Sequence, residues 1–160
     1  MNLGTLTHRK GDLFAALSQN DSWTPIVVSH IVNNARQWGA GFVIPLGQFY
    51  PKAKEKYLSW SKTFGLRLGR TQIVNVSNSL VYVANMVAQD NTSVGPDFGR
   101  PLRYLALIEC MKSVAKFSVG YQIWCPKFGS GIAGGDWNFI EELIKEIWIA
   151  KGINVTVFTL

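Results

Sequence analysis

The sequence predicts one α/β domain with three layers, in which helices cover both faces of a mixed, largely parallel central sheet. Runs rich in β-branched residues alternate with helical patterns along the chain, which is the order expected of such a sheet. The chain has 160 residues, the usual size of one domain, and no repeat or linker divides residues 1–160. Ligands of these sheets bind beyond the carboxyl ends of the strands, so we expect functional residues on the loops that leave them.

Six strands and four helices are predicted from side-chain patterns. The strands are Thr5–Arg9, Ile26–Val32, Thr71–Val76, Leu80–Met86, Gln122–Cys125 and Asn154–Leu160. Apolar residues spaced three and four apart predict amphipathic helices over Leu102–Ala115 and Trp137–Trp148. Two more helices are expected at Ala40–Phe49 and Lys52–Ser61, since Pro51 cannot continue the first of them without cost. The segment Asp90–Arg100 is predicted to be one long loop, which we hypothesise covers a ligand site.

Composition and charge narrow the classes of function. A net charge of +6 suggests an anionic partner, but the chain lacks the basic helix or aromatic platform that nucleic-acid binding needs. No apolar run approaches the roughly 18 to 20 residues of a membrane span, so no membrane partner is expected. Cys110 and Cys125 form no CxxC pair or His/Cys cluster. We therefore predict a cytoplasmic monomer without metal or cofactor.

Two glycine-rich segments each follow a strand and precede a helix. They are Trp38–Phe42 and Phe128–Gly135. Glycine lets backbone amides approach an anion and the start of a helix adds a favourable dipole, so each loop could hold a phosphate and the two together suit a diphosphate. The alternative is that these glycines only form tight turns.

Three common phosphate motifs do not account for the second loop. Gly129, Gly131 and Gly134 match G-x-G-x-x-G, but the acidic residue expected about 20 positions later is absent and the chain ends before a second mononucleotide half. No G-K-[ST] follows, which excludes a Walker A loop. A cysteine phosphatase would need an arginine where Gly131 stands, so Cys125 is interpreted as a buried strand residue.

Three segments together resemble the macro domain family in order and spacing. They are Lys10–Phe14, His30–Phe42 and Pro126–Trp137. The final run Asn154–Leu160 resembles the last strand of members related to terminal ADP-ribose glycohydrolase, and other segments resemble the yeast ADP-ribose 1''-phosphate phosphatase and small bacterial or phage-encoded members. Val87 and Ala133 stand near the positions of the glycohydrolase lysine and aspartate, so its lysine-adduct chemistry is not implied here.

The resemblance implies a binding site for ADP-ribose. Asp12 would accept a hydrogen bond from the adenine amino group, with the Leu13 amide beside it. The diphosphate and distal ribose would lie between two loops, formed by Gly39, Ala40, Gly41 and Phe42 and by Phe128, Gly129, Ser130, Gly131, Ile132, Ala133 and Gly134. Asn34 and Gln89 are further candidates for contact with the distal ribose.

Three residues are predicted to act in catalysis. His30 ends an apolar strand beside the first loop and could shuttle a proton near neutral pH, although a satisfied core histidine is the alternative. Asp136 could activate a water or orient His30, but an aspartate before Trp137 is also a natural helix N-cap. Asn33 could assist them, or serve with Asn34 only as a turn residue.

The predicted reaction is metal-free hydrolysis of ADP-ribose 1''-phosphate to ADP-ribose and phosphate. Amides of the second loop would neutralise the phosphoryl charge while His30 moves the proton, helped by Asp136 or Asn33. One alternative is a hydrolase that removes ADP-ribose from modified protein or nucleic acid, which would make ADP-ribosylated macromolecules partners. Another is a non-catalytic ADP-ribose-binding module. If the chain is phage-encoded, the compartment is the host cytoplasm.

Overall fold

A mixed six-stranded sheet forms the centre of the molecule in a computed structural model that describes residues 2–63, 65–92 and 99–160. The strands are β1 (Leu6–Lys10), β2 (Ile26–Asn33), β3 (Thr71–Ser77), β4 (Val81–Gln89), β5 (Gln122–Pro126) and β6 (Asn154–Thr159). Their order is β1-β6-β5-β2-β4-β3, and the pairing of β3 with β4 is antiparallel whereas the other pairings are parallel. The predicted sheet is confirmed.

Helices cover both faces of the sheet, as predicted. They are α1 (Leu13–Gln19), α2 (Val43–Phe49), α3 (Pro51–Thr63), α4 (Tyr104–Phe117) and α5 (Trp137–Leu143). Buried residues of α1, α2 and α3 form one apolar cluster with the sheet, and those of α4 and α5 form another with its opposite face. Pro51 begins α3, where its missing N–H leaves no intrahelical hydrogen bond unmade.

Several element boundaries differ from the predicted ones. Helix α1 was not predicted, because its seven residues are too few to show a helical period. Helix α2 begins at Val43 rather than Ala40, since Gly41 takes a φ of 78° in the turn before it. The last helix keeps α-helical hydrogen bonding only to Leu143 and continues as a π-helical turn, Ile144–Trp148, followed by a 3-10 turn, Ile149–Lys151.

The ends of the predicted long loop are held by hydrogen bonds. The Asp90 amide donates to the Pro101 carbonyl at 2.8 Å, and the Arg103 guanidinium donates to the Arg100 carbonyl. Residues 93–98 lie outside the described residues, so the hypothesis that this loop covers a site stays a prediction. Within the described ranges, no helix is long and apolar enough to cross a bilayer.

The topology gathers the predicted loops at one edge. Parallel strands bring their carboxyl ends together, and in this sheet β1, β6, β5, β2 and β4 lie side by side. Strand β1 leads to Asp12, β2 to the first glycine loop, and β5 to the second, while β4 ends at Gln89. The candidate site is therefore a product of strand order rather than of nearness in sequence.

Candidate functional site

A cleft runs along this edge and consists of three connected compartments. The proximal compartment, of about 400 Å3, lies between the start of α1, the first glycine loop and the end of β6. The central compartment, of about 190 Å3, lies between the two glycine loops, and the distal compartment, of about 250 Å3, lies beyond the ends of β2 and β4. Gly41 and Phe42 border the first two, whereas Ala40 and Gln89 border the last two.

The proximal compartment is an apolar slot with a carboxylate at one end. Phe14 and Phe42 stack with their ring centroids 5.3 Å apart, and Phe158 contributes a further aromatic ring to the lining. Asp12 uses its Oδ1 to accept from the Phe14 amide at 3.2 Å, which caps α1 and fixes the carboxyl group at the rim. A flat aromatic ligand with a hydrogen-bond donor on its edge suits this compartment.

The second glycine loop is closed by its own backbone. The Gly135 amide donates to the Gly129 carbonyl at 2.7 Å, and the Gly134 amide donates to the Gly131 carbonyl at 3.0 Å. Gly129 and Gly134 have φ angles of 79° and 77°, which residues with a side chain rarely adopt. Phe128 is buried below, so the loop is anchored to the core while Gly129 and Gly131 line the central compartment.

The distal compartment is lined by neutral groups. Its polar lining residues are Asn33, Gln37, Gln89 and Thr92, and among the described residues none that lines it is charged. The Asn33 Oδ1 accepts from the Ala35 and Gln37 amides, at 3.0 and 3.1 Å, and its Nδ2 donates to the Gln37 carbonyl at 2.9 Å. Asn33 therefore shapes the turn after β2 as well as lining the compartment.

Tyr57 of α3 supports this turn from below. Its hydroxyl donates to the Asn33 carbonyl at 2.7 Å, and burial raises the pKa of Tyr57 to about 12. A phenol with this pKa stays protonated at neutral pH, so it serves as a permanent donor that holds the turn in place.

His30 lines the central compartment with a buried ring whose pKa is lowered. It is only 1% exposed, and its Nε2 lies 2.5 Å from Asn85 Oδ1. Desolvation lowers the pKa of His30 to about 4, against a smaller upward effect of the Asn85 hydrogen bond. The ring is thus neutral at pH 7, and the role of His30 in moving a proton stays a prediction.

Asp136 lies outside the cleft lining and caps a helix. Its Oδ1 accepts from the Asn138 amide at 2.9 Å at the start of α5, and its own amide donates to the Tyr104 hydroxyl at 2.8 Å. It has no contact with His30 in the described hydrogen bonds. The structure thus shows the helix N-cap that the sequence offered as the alternative, while activation of a water by Asp136 stays a prediction.

The other predicted binding residues divide into two groups. Those that line the cleft are Asp12, Leu13, Asn33, Gly39, Ala40, Gly41, Phe42, Gln89, Phe128, Gly129, Gly131, Ile132 and Ala133. Asn34, Ser130 and Gly134 lie outside the lining and hold loops instead. Asn34 Nδ2 donates to Asp90 Oδ1 at 3.0 Å, and Asn34 Oδ1 accepts from the Asn91 amide at 2.7 Å. The Ser130 hydroxyl donates to the Lys127 carbonyl at 2.9 Å.

Three polar residues of the cleft were not predicted from the sequence. Gln37 and Thr92 line the distal compartment, and Lys127 borders the proximal and central ones, with its Nζ 5.8 Å from the Trp137 ring centroid. Lys127 directly precedes Phe128 in a segment already assigned to the site, which was a signal that could have identified it. Cys125 is buried in β5 with a raised pKa, as its interpretation as a strand residue predicted.

Known proteins resemble the chain over nearly its whole length, although no protein-family model matches it. A solved protein of unknown function from Bacteroides thetaiotaomicron is 37% identical with a TM-score of 0.90, covering 99% of this chain and 100% of that one. A macrodomain protein from Streptomyces coelicolor is 27% identical with a TM-score of 0.79, covering 98% of this chain and 99% of that one. The ADP-ribose glycohydrolase OARD1 of Bos taurus is 24% identical over 155 residues, which are 97% of this chain and 91% of that protein.

The sheet order and the two loops define the class of this protein. It is a three-layer α/β/α domain with a cleft between two glycine-rich turns at the carboxyl edge of a mixed sheet. Its fold is that of the macro domain family, as in the Streptomyces coelicolor macrodomain protein.

Proposed function

We propose that this protein binds ADP-ribose and hydrolyses a derivative that is substituted at the C1'' atom of its distal ribose. The supporting observation is the order of the compartments along one cleft. The compartments match the parts of ADP-ribose in order: the apolar slot with its carboxylate suits adenosine, the backbone amides of the centre suit the diphosphate, and the neutral polar end suits the distal ribose. The C1'' atom of that ribose then lies beside Asn33 and Gln89, at the end of the cleft farthest from Asp12.

The diphosphate is held mainly by backbone in this proposal. Glycine loops bind phosphate through amides that need no protonation change, and the start of α2 directly follows the first loop. Lys127 adds a cationic side chain at the border of the central compartment. Charge recognition is therefore concentrated in the centre of the cleft.

The distal compartment favours an uncharged leaving group. A phosphomonoester at C1'' would bring a negative charge among Asn33, Gln37 and Thr92, which supply no cation. A glycosidic or ester bond to a macromolecule brings no such charge. We therefore propose release of ADP-ribose from a modified macromolecule as the leading reaction, in line with the activity named for the bovine relative.

Hydrolysis of ADP-ribose 1''-phosphate is the second candidate. The specific observation in its favour is that Ile132, in the second glycine loop, borders both the central and distal compartments. Amides of this loop could then stabilise a phosphoryl group without metal. In both reactions water attacks, and positioning supplies more of the catalysis than a titrating side chain does.

Product analysis separates the candidates. Incubation with an ADP-ribosylated protein is expected to release ADP-ribose, detected by mass spectrometry, faster than incubation with ADP-ribose 1''-phosphate releases phosphate. Faster phosphate release would make the phosphatase the better assignment. If neither substrate is converted while calorimetry shows ADP-ribose binding, the protein is a binding module.

Replacing Asp12 by asparagine is expected to weaken ADP-ribose binding by about 10- to 100-fold, because a hydrogen bond to a charged acceptor is lost. The amide oxygen of the introduced side chain can still accept from the Phe14 amide and cap α1, so the midpoint of thermal unfolding should change little. Calorimetric titration measures the affinity. Asp21→Asn, an exposed change outside the cleft, is the matched control, and equal affinities of both variants would contradict the assignment of adenine to this compartment.

A further inference from the structure

We infer that His30 determines ligand specificity as a fixed hydrogen-bond acceptor, with the Nδ1 atom of a neutral ring receiving a ribose hydroxyl of the bound nucleotide sugar. The inference rests on the proposed function, since it needs a nucleotide sugar in the cleft. It assigns a role to the histidine that requires no proton transfer.

The tautomer of His30 follows from a chain of hydrogen bonds that begins at a backbone carbonyl. The Lys56 carbonyl can only accept, so the Gln72 amide that meets it at 2.9 Å is the Nε2 donor. Gln72 Oε1 then accepts from Asn85 Nδ2 at 3.0 Å, and the same Nδ2 donates to the Ala53 carbonyl at 3.4 Å. Asn85 Oδ1 is left to accept from the His30 Nε2–H. Nδ1 of the neutral ring therefore carries a lone pair and no hydrogen.

That lone pair has no protein partner among the described residues. His30 Nδ1 is buried and makes no hydrogen bond, although the ring lines the central compartment. The Trp38 indole lies beside it, with centroids 5.7 Å apart, but Trp38 Nε1 is itself unpartnered, so the two groups do not satisfy each other. A buried acceptor without a donor is destabilising, and a ligand hydroxyl that donates to it would remove that cost on binding.

The chemistry of the ligand limits which group can supply the donor. Diphosphate oxygens carry no hydrogen at neutral pH, and a lone pair facing them would repel them. The groups that flank the diphosphate in a nucleotide sugar are riboses, whose hydroxyls can donate. His30 thus favours a ligand that places a hydroxyl at the wall of the central compartment and disfavours one that places a phosphate oxygen there.

Nitrogen NMR on the full chain labelled with 15N-histidine tests the inference directly. The chain has 2 histidines, so the His30 signals are those absent from His30→Gln. In the free protein at neutral pH, Nε2 should be protonated and Nδ1 bare. Addition of ADP-ribose should shift the Nδ1 signal towards the protonated range while the Nε2 signal stays in place.

Binding measurements provide the second readout. Glutamine places its terminal amide where Nε2 stands, so His30→Gln can keep the bond to Asn85 but offers no acceptor at the Nδ1 position. We expect its affinity for ADP-ribose to fall by about 3- to 10-fold, the effect of one neutral hydrogen bond. Circular dichroism and thermal unfolding check that the variant is folded.

The outcomes distinguish this inference from the proposed function. A reversed tautomer, a doubly protonated ring, or an Nδ1 signal that stays unchanged while ADP-ribose binds would overturn the acceptor role. Absence of any ADP-ribose binding by the wild-type protein would overturn the proposed function instead. A shifted Nδ1 signal together with the weaker binding of His30→Gln would support both.

Discussion

Replacing Gly135 by alanine is expected to weaken ADP-ribose binding by about 100-fold and to lower the free energy of unfolding by roughly 1 to 3 kcal/mol, the range found when atoms are forced into a packed site. A Cβ at this position would lie 2.3 Å from Leu102 Cδ2 and 2.6 Å from the Gly129 carbonyl oxygen. The side chain of Leu102 can turn away, but the carbonyl belongs to the loop backbone. The hydrogen bond from Gly135 to Gly129 would be displaced, and with it the loop amides that we propose bind the diphosphate.

Gly131→Ala provides the matched control in the same loop. A Cβ on Gly131 meets nothing within 4 Å, and its φ is not among the positive ones, so stability should stay within about 0.5 kcal/mol of wild type. Urea unfolding measures stability and calorimetric titration measures affinity. Equal destabilisation by both substitutions would show that the hydrogen bond from Gly135 to Gly129 does not stabilise the loop.

Acidification is expected to destabilise the protein through His30. The pKa of His30 is about 4 in the folded state against 6.5 for the unperturbed group, so below pH 6.5 the unfolded chain binds a proton that the folded chain does not. Stability from this group is complete above pH 6.5 and declines as the pH falls to about 4. The full loss is about 3 kcal/mol, the free energy that corresponds to this pKa difference.

His30→Gln isolates this effect because glutamine does not titrate. Urea unfolding measured between pH 7 and pH 4 should show a steeper loss of stability for the wild type than for the variant. Parallel curves for the two proteins would mean that the histidine is not buried in its neutral form.

The sequence was sufficient to predict the layers of the fold, the central sheet and the position of the two glycine loops. Alternating apolar patterns determine which segments become strands, and the rule that ligands bind at the carboxyl ends of parallel strands then locates the site. Asp12, Gly41 and Gly129 were predicted at the cleft and do line it. These predictions depended on local patterns and on the resemblance to a family.

The roles of individual polar groups depended on partners far away in the sequence. His30 meets Asn85 of β4, which in turn meets Gln72 of β3, and no local pattern encodes that chain. The sequence was compatible with two roles for Asp136. The hydrogen bond that its carboxylate accepts from the Asn138 amide shows the helix cap. The distal compartment likewise includes Gln37 and Thr92, whose types are ordinary for loops.

A crystal structure of the protein with bound ADP-ribose would locate each part of the ligand in the cleft. We expect adenine in the proximal compartment with its amino group at Asp12, the diphosphate between the glycine loops, and the distal ribose beside Asn33 and Gln89. Nucleotide bound in the reverse direction, with adenine in the distal compartment, or bound on another face of the domain, would contradict it.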